Sequence, residues 1–220
     1  MNKMATRFRL FILLAASIVA ASCKSNEQKA EELIREDLSK TLLDFDSYQP
    51  IKTTITEAYE TPYNHKGCHI IALVVADHKE KAQEYLKETS KATEHMNIWG
   101  APTHYSSAYS DQQFYKYKKQ ATENLEKAKK ELRIVKTGGI MLQDTIKTLN
   151  PEKVIGWEVK HRFRCKTRGG NATIADYRYV LDKDFKTVLF HEDTDSDEAS
   201  TAKEVIGMAE KNGFSDLDVD

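Results

Sequence analysis

Three stretches of this sequence carry side chains of the kind that do chemistry. "HKGCH" supplies His65, Cys68 and His69. At positions i, i+3 and i+4 of a helix they share one face, and imidazole and thiolate are zinc ligands. His161 or an acid would have to complete the set. The competing reading is a helix N-terminus with solvated histidines and a buried thiol, and Gly67 and Pro62 weaken the helical register there. "DTDSDEASTAKE" puts Asp193, Asp195, Asp197 and Glu204 at the first, third, fifth and last positions of a calcium-loop template. Glu198 stands where that template needs a turn glycine. Acids also collect before a helix because they cap it and complement its dipole. "GWEVKHRFRCKTRGGN", residues 156–171, joins five Lys and Arg side chains and a cysteine to a glycine pair.

Parity decides most of that third stretch. Alternate residues of a strand point to opposite faces. Trp157, Val159, His161, Phe163 and Cys165 then form an inner face, and Glu158, Lys160, Arg162, Arg164 and Lys166 a wet one. Thr173, Ala175, Tyr177, Tyr179 and Leu181 form the matching inner face of the next strand. Opposed residues share a face, so their numbers sum to an even value and the loop must be odd. Arg168-Gly169-Gly170 supplies three residues, with glycine for the left-handed position. In this register Arg162 or Arg164 lies opposite Asp176. No helix follows the glycines, which argues against a phosphate cradle. Cys165 points inward, a poor place for a reactive thiol. What remains is a basic sheet face able to meet an acidic partner.

Readable catalytic signatures are missing: there is no G-x-S-x-G, H-E-x-x-H, G-x-x-x-x-G-K-[ST] or G-x-G-x-x-G. No catalytic residue or cofactor is therefore assigned. Charge excludes another class. The 220 residues hold 33 Lys+Arg against 34 Asp+Glu, without the basic excess of a nucleic-acid binder. Four prolines and nine glycines argue against a disordered chain.

The N-terminus says where the protein goes. "MNKMATRFR" is basic, and Leu10 to Ala21 is apolar apart from Ser17. Twelve residues are too few to span a bilayer of roughly 30 Å at about 1.5 Å per helical residue, so the segment reads as a secretory signal. Ala20-Ala21-Ser22-Cys23 resembles the lipobox of Gram-negative bacterial lipoproteins, with Ala20 where that family more often has Leu or Val. The resemblance implies cleavage of residues 1–22, a diacylglycerol thioether on Cys23 and an acylated amine. Losing three basic residues leaves 30 against 34, a charge of −4, so the tether is lipid and not a polybasic patch. Lys24 in place of an aspartate points to the outer membrane. Cys68 and Cys165 then lie in an oxidising compartment, where a disulfide and two buried thiols are both open.

The rest of the chain must position these residues. Ser25 and Gln28 form a capping box before an amphipathic helix over 26–44, with Ala30, Leu33, Ile34, Leu38, Thr41, Leu42 and Phe45 as its stripe. Residues 51–59 alternate as a strand. A helix over 65–98 carries a heptad-like, coiled-coil seam from Ile71 through Val75, His78, Ala82, Tyr85, Thr89 and Ala92 to Met96. A second helix opens at Ser110 and Gln113, with Phe114, Tyr117, Ala121, Leu125, Ala128, Leu132 and Val135 as its stripe. Gly138-Gly139 ends or kinks it, ahead of a short helix near 140–149. Three strands and a last helix follow, capped by Ser196 or Asp197 and closed by Gly213.

The fold expected is α+β. After the signal peptide, residues 23–220 form a single domain. An antiparallel sheet of about four strands packs on helix, with a long antiparallel helical hairpin inserted at 64–150 and a β-meander at 155–192. This order is similar to cystatin-like small domains, and the mature chain resembles a group of uncharacterised bacterial lipoproteins, a resemblance that implies no activity. The function expected is that of a lipid-anchored envelope protein, bound to membrane through Cys23, working by non-catalytic interaction with an envelope protein or glycan and not with nucleic acid. The alternatives are an envelope hydrolase with a site in the groove between hairpin and sheet, and a metal-binding protein using His65, Cys68 and His69.

Overall fold

The computed structural model describes residues 24–214. They divide into two compact units. One runs up to Ala58 and resumes over Gly156–His191; the other comprises Tyr59–Ile155 and the residues from Glu192. Among the described residues the architecture is α+β, with four long helices and one four-stranded antiparallel sheet.

The first unit begins with helix α1, Asn26–Thr41. Ser25 caps it by the expected box: its side chain accepts from the Gln28 N–H, and the Gln28 side chain accepts from the Ser25 N–H at 3.0 Å. The helix stops at Thr41, and Phe45–Ser47 makes a 3-10 turn. Ala30, Ile34 and Leu38 are buried, Leu33, Leu42 and Phe45 pack beside them, and Thr41 is exposed.

The strands are β1 (Gln49–Tyr59), β2 (Val154–Lys166), β3 (Ala172–Asp182) and β4 (Val188–Asp193), lying in that order across the sheet. Strands β2 and β3 pair with Arg162 opposite Asp176 and Cys165 opposite Thr173, each pair summing to an even number as parity requires. Thr167 donates its N–H to the Asn171 carbonyl at 2.9 Å, and Gly170 donates to Thr167 at 2.8 Å. The loop is thus Arg168-Gly169-Gly170, and Gly170 takes φ +79°. Val159, His161, Phe163 and Cys165 are buried, while Lys160, Arg162, Arg164 and Lys166 are exposed. The core of this unit is α1 against that inner face, joined by Tyr179 and Leu181.

The second unit is helical. Helix α2, Lys66–Trp99, and helix α3, Ala108–Thr148, form the antiparallel hairpin, and α4, Asp197–Glu210, packs on it. The run "IIALVVA" is helical within α2. His78 Nδ1 meets Glu131 Oε2 across the hairpin, and His95 stacks on Tyr117 with centroids 4.8 Å apart. Leu125 stays 39% exposed, outside the seam expected of it.

Two helix boundaries depart from the sequence pattern. The N-cap of α3 is Ser107, three residues before Ser110; its side chain accepts from the Ser110 N–H. The serine-rich lead-in offers both caps, and the earlier one adds a turn. The pair Gly138-Gly139 does not end α3, which is helical through to Thr148, so there is no separate short helix. Both glycines make room instead. A Cβ on Gly138 would stand 2.7 Å from Val75 Cγ2, and one on Gly139 would enter the Phe214 ring.

Helix α4 is capped by Ser196, whose side chain accepts from the Ala199 N–H. At its far end the left-handed residue is Asn212, φ 57°, rather than Gly213. Gly213 donates to the Met208 carbonyl and Asn212 to that of Ala209, the paired bonds of a Schellman stop with asparagine in the usual glycine place. That stop delivers Phe214 into the core.

Candidate functional site

The densest polar cluster in the first unit surrounds His161. Strand alternation turns its imidazole inward, where it is 1% exposed. Both ring nitrogens have hydroxyl partners: Nε2 lies 2.8 Å from Tyr48 Oη and Nδ1 3.0 Å from Thr53 Oγ1. A neutral imidazole has one donor and one acceptor, so one hydroxyl donates to it and the other accepts. Burial disfavours the imidazolium and lowers the pKa of His161, with the Glu31 charge opposing weakly. Burial likewise raises Tyr48 to about 12, and Glu31 adds to that effect. At neutral pH the site therefore holds a neutral imidazole and a protonated phenol.

Tyr48 also lines a surface groove of ≈ 460 Å³ with Lys24, Gln28, Glu31, Glu32, Arg35 and Pro50. From there, rings pass one to the next beneath α1: Tyr48, His161, Phe163, Tyr177, Tyr179 and His191, with successive centroids 5.2 to 6.2 Å apart. At the far end His191 Nδ1 lies 2.8 Å from Asp37 Oδ2. Tyr179 is fully buried there; burial, then the Asp37 charge, push its pKa up. An aspartate-oriented histidine is part of many hydrolytic sites. The hydroxyl in ring contact with His191 belongs to Tyr179, and it is sealed in the core and held neutral. The groove reaches His161 only by way of Tyr48. What this array supplies is hydrogen bonding, from His161 to the Tyr48 and Thr53 hydroxyls, which orders β1 and the Phe45–Ser47 turn on β2.

Protonating His161 must cost stability, and its sign is fixed. Its folded pKa lies below the unfolded value, so the unfolded chain binds the proton first as pH falls. Its contribution is fully present above about pH 6.5 and is lost as pH falls from there through the folded pKa, at up to about 1.4 kcal/mol per pH unit. His161→Gln keeps a donor and an acceptor but does not titrate. Its urea midpoint should fall less between pH 8 and pH 5 than that of the wild type; parallel profiles would show that His161 does not titrate on unfolding.

The other sequence candidates lie in the second unit. His65 is the N-cap of α2, its Nδ1 accepting from the Cys68 N–H at 3.2 Å. Cys68 is wholly buried, and burial raises its thiol to about 11. His69 Nδ1 stands 4.0 Å from the buried Glu192 carboxylate, which Lys203 also approaches at 3.5 Å. No cluster of three metal-ligating side chains occurs among the described residues. Asp193 accepts from the Asp195 N–H, Asp197 lies in the first turn of α4, and Glu204 is 3.6 Å from Lys79. These acids act at the helix start and on its exposed face. Cys68 and Cys165 are both free and buried. Cys23 and the signal segment lie outside the described residues, and no helix among those described is long and apolar enough to cross a membrane.

No protein-family model, curated protein or solved structure matches the chain.

The sequence pattern put His161 on the inner face but not beside Tyr48, 113 residues away, nor Asp37 beside His191, 154 away. The available signal was a histidine at an inward strand position, which requires polar partners.

Proposed function

We propose that this is a lipid-anchored protein of the bacterial cell envelope, held through Cys23, which acts by non-catalytic interaction on the outer membrane. One observation carries the anchor beyond the lipobox. Helix α1 starts at Asn26, three residues past Cys23, with a complete capping box, and it packs directly on the sheet. Three residues span about 10 Å at most. An acyl anchor on Cys23 would therefore hold the first unit against the headgroups rather than on a long leash. Several acyl chains on one residue make such attachment durable, at about 0.8 kcal/mol per buried methylene. The interaction role is supported by the use made of the unit's polar machinery: His161 and Tyr48 are spent on ordering β1 and its lead-in turn.

Metabolic labelling with a palmitate analogue tests the anchor. The wild type should take up label and fractionate with membranes, and Cys23→Ala should do neither. Equal labelling of the two would overturn the reading.

A further inference from the structure

The sheet of the first unit has two unlike faces. Thr53 bonds His161, so the odd-numbered residues there face α1. The even-numbered Lys52, Lys160, Arg162, Arg164 and Lys166 point the other way, and all five are exposed. On β3 this outer face carries Ile174, Asp176 and Arg178, and Arg178 stands 3.5 Å from Glu158, the acid on the same face of β2. Asp176 stands 3.7 Å from Arg162. Lys52, Lys160, Arg164 and Lys166 join no ion pair among the described residues. The same face is closed at its other end, where Ala58, Gly156, Val180 and Phe190 are buried. The open part is thus a compact cationic plane on a chain whose overall charge is −1.

We propose that this outer face docks on an anionic phospholipid surface, with its lysines and arginines against the lipid phosphates. Charge complementarity is the first argument. Shape is the second. Alternate residues on a strand repeat at about 6.7 Å, so Lys160, Arg162, Arg164 and Lys166 form a row along β2, with Lys52 on the neighbouring β1, all projecting from one face of the sheet. Cations on one face suit a plane of headgroups. A protein interface would have an apolar, aromatic centre, and here Ile174 is the apolar side chain offered. Position is the third. Lys24 shares its groove with Pro50 at the start of β1, two residues before Lys52. Lys24, the residue that follows Cys23 in sequence, therefore lies beside the edge of this sheet. Acids in that groove are countered: Lys24 Nζ lies 2.7 Å from Glu32, and Arg35 lines the groove with Glu31. The choice of a membrane over an acidic protein rests on the lipid anchor proposed above. The lipid would hold the unit at the bilayer, and the basic face would set which side lies down.

The test is binding of the full chain to vesicles of phosphatidylcholine and of an equimolar mixture with phosphatidylglycerol. The reading is the ratio of the two partition coefficients compared between wild type and variant, since the N-terminal segment, basic at Lys3, Arg7 and Arg9, contributes alike to both proteins. The wild-type ratio should be well above one at low salt and shrink at high salt. The triple variant Lys160→Glu, Arg164→Glu, Lys166→Glu should lower it about tenfold or more. Lys118→Glu, Lys119→Glu, Lys130→Glu makes the same change in net charge on α3 and should leave the ratio intact. If the reversed sheet does not fold, the glutamine triple variant at the same three positions replaces it, with a smaller loss in the same direction. A wild-type ratio near one overturns the proposal, as does a sheet variant that keeps the ratio or an α3 variant that loses it equally. Binding of a short polyglutamate peptide by a chain whose vesicle ratio is unchanged by the sheet variant would assign the face to an acidic protein instead. Vesicle binding does not require acylation, so failure here leaves the palmitate result standing, and the converse.

Discussion

Replacing Gly156 by alanine should unfold the sheet of the first unit more readily than any other single-methyl change. The new Cβ would run into the carbonyl of Leu181 on β3, a backbone atom held in the ladder by the Gly156–Asp182 pairing. A side-chain obstacle can rotate away, but this one cannot move without opening the strands. Overpacking typically costs about 1–3 kcal/mol, and a backbone obstacle places Gly156→Ala at the upper end, about 3 kcal/mol. Trp157 is the natural reporter, because it stacks on Phe185 and donates to the Lys183 carbonyl in the same unit. Its fluorescence should follow a urea transition at clearly lower denaturant in the variant. A shift equivalent to less than about 0.5 kcal/mol, the range of an ordinary surface substitution, would mean that β2 and β3 separate there at little cost.

The second large effect belongs to Gly139 and Phe214 together. Phe214 is 1% exposed and fills the space that a Cβ on Gly139 would need. Phe214→Ala should cost about 3–5 kcal/mol, as buried phenylalanines do. Gly139→Ala gains about 1 kcal/mol of helix propensity and loses more to the collision, so it should still destabilise. Shortening Phe214 removes the ring atoms at 2.1 and 2.4 Å but leaves its Cβ 2.6 Å away, so Gly139→Ala should cost clearly less there than in the wild type. The double-mutant cycle should therefore show a coupling of about 1–3 kcal/mol. Additive effects would mean that the ring and the glycine do not share the space.

These two glycines also show what could be read in advance. The β2–β3 register followed from parity and one odd loop, because a slip of one residue would have turned His161, Phe163 and Cys165 outward together. The start of helix α1 and its buried Ala30, Ile34 and Leu38 were equally legible from stripe and capping box, but its end was not: it stops at Thr41, short of residue 44. Gly138-Gly139 misled because each glycine costs about 1 kcal/mol inside a helix. Sequence sees that cost but not the Val75 and Phe214 side chains that occupy the vacated space. Asn212 in place of Gly213 at the stop of α4 is the same lesson on a smaller scale: asparagine tolerates the left-handed region, and the chain needed Phe214 aimed inward. The ring array from Tyr48 to His191 was illegible for another reason. Its members come from α1's trailing turn, β2, β3 and β4, and no local pattern encodes their meeting.

The strand order leaves β1 and β4 outermost. An outermost strand presents unpaired peptide groups to any neighbouring chain. Strand β4 is only six residues long and ends in Glu192 and Asp193. Strand β1 is longer and holds the β-prone run Thr53-Thr54-Ile55, the kind of segment that seeds intermolecular sheets. It is flanked by Pro50, which has no N–H to give, by Lys52 and by Glu57. A proline near the start of a strand and charges along it are features that discourage a second chain from pairing there. Such punctuation disfavours self-association along β1, which would matter most if the proposed lipid anchor gathers copies of the protein on one surface.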